Sequence, residues 1–279
     1  VVLFHGLEGN SDSHYARSLM AAVARRRWRG VVPHFRGCGG KPNRLPRAYH
    51  SGDHEEVGAM LAAVRERAGP GAPLHVVGVS LGGSALLNWL GRAGAGAGSI
   101  VARAAAVSAP LDLMAAGRSI DRGSNRIYAW HFLRTLAPKA RAIASRFPGR
   151  LDASRLSRLT TMRAFDDAVT APLHGFGGTD DYWTRASSKP WLARIGVPTL
   201  VLDTTATVAS GGNYTVIAHL LEGGGIDLSV FENDASRARR GASRVTVRHA
   251  ADAPAVDVSL KPWRSRKSLG PFGPAENGD

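Results

Sequence analysis

Leu74-His75-Val76-Val77-Gly78-Val79-Ser80-Leu81-Gly82-Gly83-Ser84-Ala85-Leu86-Leu87-Asn88-Trp89-Leu90 decides the reading of this chain. The apolar run at 74–77 reads as a buried strand, and residues 84–91 read as a helix. Between them stands Gly78-Val79-Ser80-Leu81-Gly82, a Gly-x-Ser-x-Gly motif in the strand–turn–helix context of a nucleophile elbow. A turn this tight leaves no room for side chains beside the serine. Gly78 and Gly82 supply that room, and Gly83 relieves the backbone further. The elbow lifts the Ser80 hydroxyl above the sheet and aims the N-terminus of the following helix at any oxyanion formed there.

Working outward, residues 1–112 alternate strand and helix. Strands are expected at 1–4, 30–34, 75–79 and 100–107, and helices at 15–27, 54–68 and 84–91. Such alternation predicts a parallel sheet covered by helices on both faces. Residues 113–186 change character: they are helical, rich in arginine and aromatics, and contain no evident strand. An insertion of this kind between two sheet strands reads as a lid. Val197-Pro198-Thr199-Leu200-Val201-Leu202 then returns as a buried strand. Beyond Asp203, short strands are expected at 213–218, 226–231 and 244–247, with a Gly-rich turn at 223–225. The stretch 261–279 is rich in Pro, Gly and charge and reads as a disordered tail.

The first strand runs into His5-Gly6-Leu7-Glu8-Gly9. A hydrolase with such an elbow takes one oxyanion donor from the amide after the nucleophile and the second from the loop after this strand. The two donors would be Leu81 and Leu7. His5 belongs to that loop and reads as a loop-positioning residue, not as a base.

Bulk composition narrows the class. The 279 residues hold 44% hydrophobic and 21% charged residues, ordinary for a globular protein of one large or two small domains. The single cysteine, Cys38, excludes an internal disulfide and fits a reducing compartment, hence a cytoplasmic expectation. No apolar run is long and charge-free enough to span a bilayer. The net charge of +14 raises nucleic acid or an anionic membrane as partner. Only five of the 36 basic residues are lysine, at positions 41, 139, 189, 261 and 267. The arginines are scattered through helical-looking segments without an aromatic stacking pattern, so the charge reads as an arginine- and alanine-rich composition with no dedicated basic surface, and neither a nucleic-acid nor an anionic-membrane partner is expected. Val1 opens inside a strand with no initiator Met, so the chain reads as cut at its N-terminus.

Further stretches carry a resemblance. They are residues 5–16 (His-Gly-Leu-Glu-Gly-Asn-Ser-Asp-Ser-His-Tyr-Ala), 33–40 (Pro-His-Phe-Arg-Gly-Cys-Gly-Gly) and 49–53 (Tyr-His-Ser-Gly-Asp). Residues 165–176 (Phe-Asp-Asp-Ala-Val-Thr-Ala-Pro-Leu-His-Gly-Phe), Asp181-Tyr182-Trp183 and Ala186-Ser187-Ser188 belong with them. With the elbow, residues 1–202 resemble the YheT-like group of α/β-hydrolases. The resemblance implies an α/β-hydrolase fold, a lid at about 113–186, no cofactor, and a serine esterase acting on small acyl esters or lipid-like substrates.

The same resemblance shows a departure. The family begins with a segment that holds two earlier strands. After its counterpart of strand 197–202 it carries Asn-Asp-Pro, whose Asp is the triad acid and would fall near Thr207. Its general base lies in a later Gly-Gly-His motif. Here the chain reads Asp203-Thr204-Thr205-Ala206-Thr207-Val208, and no Gly-Gly-His follows the elbow. A serine hydroxyl is a weak nucleophile without a base, and the base needs an orienting acid. Asp203 is the stand-in for the acid, and His219 or His249 for the base. His131 and His174 lie in the lid. Impaired hydrolysis, or a catalytically inactive hydrolase-like chain, is the implied consequence.

Residues 210–218, 226–234, 244–250 and 252–258 are in turn similar to DUF4397 domains, β-rich repeat modules that are typically extracellular. That likeness implies a partial β-rich segment over about 203–260, joined to the hydrolase-like part near 202–210. It also implies an alternative reading as a surface or binding module, extracellular if that part dictates the compartment. Three other groupings read as structural. His50, Asp53, His54 and Glu55 lead into a helix and are not taken as a metal site. Asp166-Asp167 and Asp180-Asp181 read as helix-start or arginine-pairing residues. Arg36-Gly37-Cys38-Gly39-Gly40 lacks the lysine and hydroxyl of a phosphate loop.

Overall fold

The computed structural model describes residues 1–202 and, beyond them, the backbone of four short strands, at 214–220, 226–232, 256–257 and 274–275. The chain divides into two compact units, Val1–Asp203 and Thr204–Asp279.

The first unit is built on a four-stranded parallel sheet in the order β1 (Val2–Phe4), β2 (His75–Val79), β3 (Arg103–Val107) and β4 (Thr199–Leu202). Chain order and sheet order coincide, so each connection must cross over through helices. Helices α1 (His14–Arg25) and α2 (His54–Ala68) follow β1, and α3 (Leu81–Ala93) follows β2. The sheet and α3 share one apolar core. Val2, Phe4, Val76, Ala104 and Ala106 from the strands meet Ala85, Leu86, Leu87 and Leu90 of α3, with Val57 and Leu61 of α2. Every residue of α3 from Leu81 to Gly91 is buried. A helix apolar all round needs cover on all sides, and the sheet, α2 and the 3₁₀ turn Lys189–Arg194 give it.

The strand expected at 30–34 is not formed. Val31 makes an isolated parallel bridge to Val2, with Leu3 N–H donating to Val31 O and Val31 N–H donating to Val1 O, both at 2.9 Å. Pro33 has no N–H to continue the ladder. The strand expected at 100–107 begins at Arg103.

Between β3 and β4 the chain forms a helical cap: α4 (Leu113–Ile120), α5 (Arg126–Arg146), α6 (Ala153–Leu156), α7 (Met162–Phe165), a π-helical turn (Asp166–Thr170), α8 (Ala171–His174) and α9 (Thr179–Ala186). The cap has its own small core, formed by Ala129, Leu133, Leu136, Ala140 and Ile143 of α5 against Leu151, Leu156, Met162, Phe165 and Val169. Tyr182 and Trp183 of α9 pack with Leu113 of α4.

In the second unit, β5 (Tyr214–Leu220) pairs antiparallel with β6 (Ile226–Glu232), and β7 (Val256–Asp257) with β8 (Pro274–Ala275). The strand expected at 244–247 and most of the tail from Lys261 lie outside the described residues.

Candidate active site

Ser80 sits between the last residue of β2 and the first of α3, with φ +52° and ψ −122°. A non-glycine residue adopts that backbone only when its surroundings enforce it. Here they do. Ser80 N–H donates to Val107 O of β3 at 2.9 Å, and Ser80 O accepts from Ser84 N–H at 3.0 Å. The flanking glycines leave no alternative. A Cβ on Gly78 would stand 2.6 Å from Gly83 Cα, and one on Gly82 2.5 Å from Phe4 O. The loop after β1 presses against the serine, since a Cβ on Gly6 would lie 3.2 Å from Ser80 Cβ.

That loop is fixed from several sides. Gly6 N–H donates to the Tyr15 hydroxyl at 2.9 Å and Glu8 N–H to the Tyr49 hydroxyl at 2.7 Å. Gly9 N–H donates to Gly6 O at 3.0 Å. Among the described residues, no protein acceptor meets the Leu7 N–H. Leu81, first in its helix, likewise has an amide with no acceptor within the helix. Glu8 has φ +58°, and its carboxylate holds that conformation. It accepts from the Tyr49 hydroxyl at 3.0 Å and from Lys139 Nζ of α5 at 2.9 Å on either oxygen. The Leu7 side chain packs against both the sheet core and the cap core.

His5 is fully buried. Phe35 N–H donates to its Nε2 at 3.1 Å, so Nδ1 carries the proton and faces Gly6 O at 2.8 Å. Burial holds its pKa below the ordinary histidine value. Both ring nitrogens are engaged in the loop.

Among the described residues, none of the histidines after the elbow hydrogen-bonds Ser80. His131 is exposed on α5. His174 is packed edge-to-face on His50 with ring centres 4.5 Å apart, and among the described residues its Nε2 has no hydrogen-bond partner. Burial lowers the pKa of both rings to about 3. The side chains of Asp203, His219 and His249 lie outside the described residues, as does Thr207. Among the described residues, no side chain hydrogen-bonds the Ser80 hydroxyl.

The polar residues at 50–56 are held by one another and by the backbone. Arg47 pairs with the buried Asp53 at 2.8 Å, Arg36 with Glu56 at 3.0 Å, and His54 Nδ1 meets Gly52 O at 3.0 Å. Burial, then the nearby Asp53, pushes the Glu56 pKa up to about 7. In the cap, Asp166 is buried and accepts from the Trp183 indole at 2.8 Å and the Thr170 hydroxyl at 2.7 Å. Its burial raises its pKa to about 6. Asp167, Asp180 and Asp181 pair with Arg155, Arg163 and Arg185. Asn88 of α3 ties the elbow helix to the foot of the cap, donating to Ala186 O at 2.9 Å.

Tyr15, Tyr49, Glu8 and Lys139 shape the loop, and sequence reasoning assigned them no role. The tyrosines stood within the quoted motifs. Lys139, a lone lysine in an arginine-rich helix, gave no local signal.

A model of the alpha/beta hydrolase fold matches residues 1–222. The chain belongs to the alpha/beta hydrolase family. It is 40% identical over 204 residues to YheT of Escherichia coli (strain K12), named as a candidate esterase, covering 72% of this chain and 59% of that protein. It is 31% identical over 211 residues to the phospholipase ABHD3 of Mus musculus, covering 75% of this chain and 51% of that one. Against the monoacylglycerol lipase of Saccharomyces cerevisiae (strain ATCC 204508 / S288c) the identity is 25% over 224 residues, covering 77% and 49%. The chain thus spans about half to three-fifths of the length of these curated relatives.

Proposed function

We propose that the protein is a serine hydrolase of the YheT-like group that cleaves carboxylic esters of small or lipid-like acyl substrates through a Ser80 acyl-enzyme. The observation that carries this reading is the pair of amides beside Ser80. Among the described residues the Gly6, Glu8 and Gly9 N–H groups have protein acceptors whereas the Leu7 N–H has none, and the Leu81 N–H has no acceptor within α3. In the proposed step Ser80 Oγ adds to the ester carbonyl carbon, and the carbonyl oxygen becomes an oxyanion that accepts from Leu7 and Leu81. The Ser80 hydroxyl proton passes to a general base as Oγ adds, and collapse of this intermediate expels the alcohol, which takes up that same proton from the base. Water then releases the acid from the acyl-serine. One such donor is worth roughly 3 kcal/mol of transition-state stabilisation. The phospholipase and lipase names among the relatives support the substrate class.

A second reading is an elbow without a working base, favoured by the absence of Asn-Asp-Pro and Gly-Gly-His after β4. On that reading the β-rich segment after Asp203, similar to DUF4397 domains, acts as a surface module. Where hydrolysis proceeds, Asp203 is our candidate acid and His219 or His249 our candidate base. Two measurements on wild type and Ser80→Ala separate the readings: labelling by a fluorophosphonate and turnover of a short-chain p-nitrophenyl ester. Ser80-dependent turnover establishes the first reading. Ser80-dependent labelling without turnover establishes the second. Absence of both overturns the hydrolase assignment for this chain.

A further inference from the structure

The cap helix α5 carries an outer surface that the proposed chemistry does not use. From Arg122 to Leu151 the chain holds six arginines and Lys139 and not one acidic residue. Lys139 is spent on Glu8. Among the described residues, Arg122, Arg126, Arg134, Arg141, Arg146 and Arg150 form no ion pair. Helical periodicity sorts α5 cleanly. Ala129, Leu133, Leu136, Ala140 and Ile143 face the cap core, whereas Ile127, Trp130, His131, Arg134 and Arg141 fall on the opposite, exposed stripe. At its N-terminal end the large apolar side chains stand in solvent: Ile127 is 69% exposed, Tyr128 62% and Trp130 58%. Arg134 holds its guanidinium over the Trp130 ring, 4.8 Å from its centre.

We infer that this face of α5 docks on an anionic phospholipid surface, with Ile127, Tyr128 and Trp130 entering the headgroup–acyl boundary and the arginines facing the lipid phosphates. The charge argument selects the occupant. A 30-residue stretch of one sign attracts an anionic plane and repels another basic copy of this chain. The apolar residues select between anionic partners. Trp and Tyr rings place an apolar body and a polar edge at a membrane interface, and isoleucine adds acyl-phase contact. On a nucleic acid an exposed isoleucine beside the rings has nothing to stack on or hydrogen-bond. At 21 residues, α5 runs roughly 30 Å, long enough for several phosphate contacts at once. No described helix is long and apolar enough to cross a membrane, so the contact proposed is with its surface. Docking does not depend on whether Ser80 turns over.

The test is flotation of the full chain with vesicles of phosphatidylcholine alone or with three-tenths phosphatidylglycerol, at low and high salt. Wild type floats with the anionic vesicles, is released by salt, and shows a blue shift of tryptophan emission that acyl-brominated lipid quenches. Arg126→Gln and Arg134→Gln each lower the partition coefficient about fivefold. Ile127→Ala with Trp130→Ala abolishes the shift and quenching. These side chains are exposed, so the far-ultraviolet spectrum stays unchanged. Arg26→Gln with Arg27→Gln removes two charges, twice the loss of either single α5 substitution, from the other basic run near the exposed Trp28, and leaves flotation within twofold of wild type. The inference is overturned by absence of flotation, by equal flotation on neutral vesicles, or by loss in the Arg26/Arg27 variant with none in the α5 variants. It is also overturned if the α5 substitutions weaken binding to a duplex DNA probe while leaving vesicle binding intact.

Discussion

Replacing Gly82 by alanine tests the elbow where the structure is least able to yield. The new Cβ would stand 2.5 Å from Phe4 O and 2.7 Å from Phe4 C, and it would also press on His5 O. All three are backbone atoms at the end of β1, whose residues Val2, Leu3 and Phe4 are fully buried and locked in register to Val76, Val77 and Gly78. Ordinary contact begins near 3.4 Å, so β1 and the first turn of α3 must separate by most of an ångström. Overpacking against groups that cannot rotate away costs about 3 kcal/mol, and the better helix propensity of alanine returns up to 1 kcal/mol. The net, about 2 kcal/mol, lowers the melting temperature of a unit of this size by roughly 4–8 °C. Scanning calorimetry of Gly82→Ala against Gly96→Ala reads it directly, because a Cβ on Gly96 meets nothing within 4 Å. The strain also moves the carbonyl of His5 and the loop that follows, so fluorophosphonate labelling of Ser80 should slow in Gly82→Ala only. A Gly82→Ala protein melting within 1 °C of wild type would refute the claim that glycine is sterically required there.

Acid should destabilise the protein through the His50–His174 pair. Their folded pKa values of about 3 lie below the unfolded histidine value, so their contribution is intact above pH 6.5 and is lost as pH falls toward 3. Asp166 acts in the opposite sense. Its folded pKa of about 6 means that its buried charge costs stability above pH 6 and that protonation relieves the cost on the way down to pH 4. Urea midpoints from pH 7.5 to 4 should therefore fall for wild type, fall less for His174→Phe and fall more steeply for Asp166→Asn; parallel curves for all three would exclude both assignments. Lys139→Met removes the cap's ion pair with Glu8 and leaves a largely buried carboxylate, at a cost of about 1 kcal/mol, since the lysine end is partly in solvent. Slower labelling of Ser80 in that variant would show that the pair sets the loop, whereas a stability loss with unchanged labelling would make it structural only. Cys38 is buried, and burial pushes its thiol pKa up. It should resist an aromatic disulfide reagent in the native protein and react as one thiol per chain in guanidinium; rapid native reaction would place it at the surface.

The elbow was legible because its requirements are local. A strand, three glycines and an apolar helix lie within seventeen consecutive residues, and each must be what it is for Ser80 to adopt φ +52°. The α/β alternation was legible for the same reason, since β1 is buried at every position and β2 alternates buried with half-buried ones, which leaves mostly apolar runs in both. Local apolarity misled at 30–34, where Pro33 limits the pairing to one bridge beside Val31. The environment of the loop after β1 was not legible. Its conformation depends on a tyrosine 41 residues away and a lysine 131 residues away, and neither separation leaves a periodicity to read.

Those long-range contacts change what the cap is to the site. A cap joined to the core only at its ends could shift without disturbing the amides beside Ser80. Here Leu7 packs on both hydrophobic cores, and the next residue, Glu8, is anchored to α5 through Lys139. Displacing α5 would therefore break the ion pair and uncover part of Leu7 in one movement. Tyr49, which both donates to Glu8 and accepts from it, would be left as the loop's hold on that residue. Since Leu7 packs on both cores and the next residue, Glu8, is anchored to α5, the stretch that carries the Leu7 amide is held jointly by the core and the cap. Ser80 itself is held by β3 through Val107, by the first turn of α3 through Ser84 and by the elbow glycines, with no hydrogen bond to the cap among the described residues. Ser80 and the Leu7 amide, its proposed second oxyanion donor, thus rest on different supports, and the contacts of α5 are the part of the proposed site that a change in the cap would reach first.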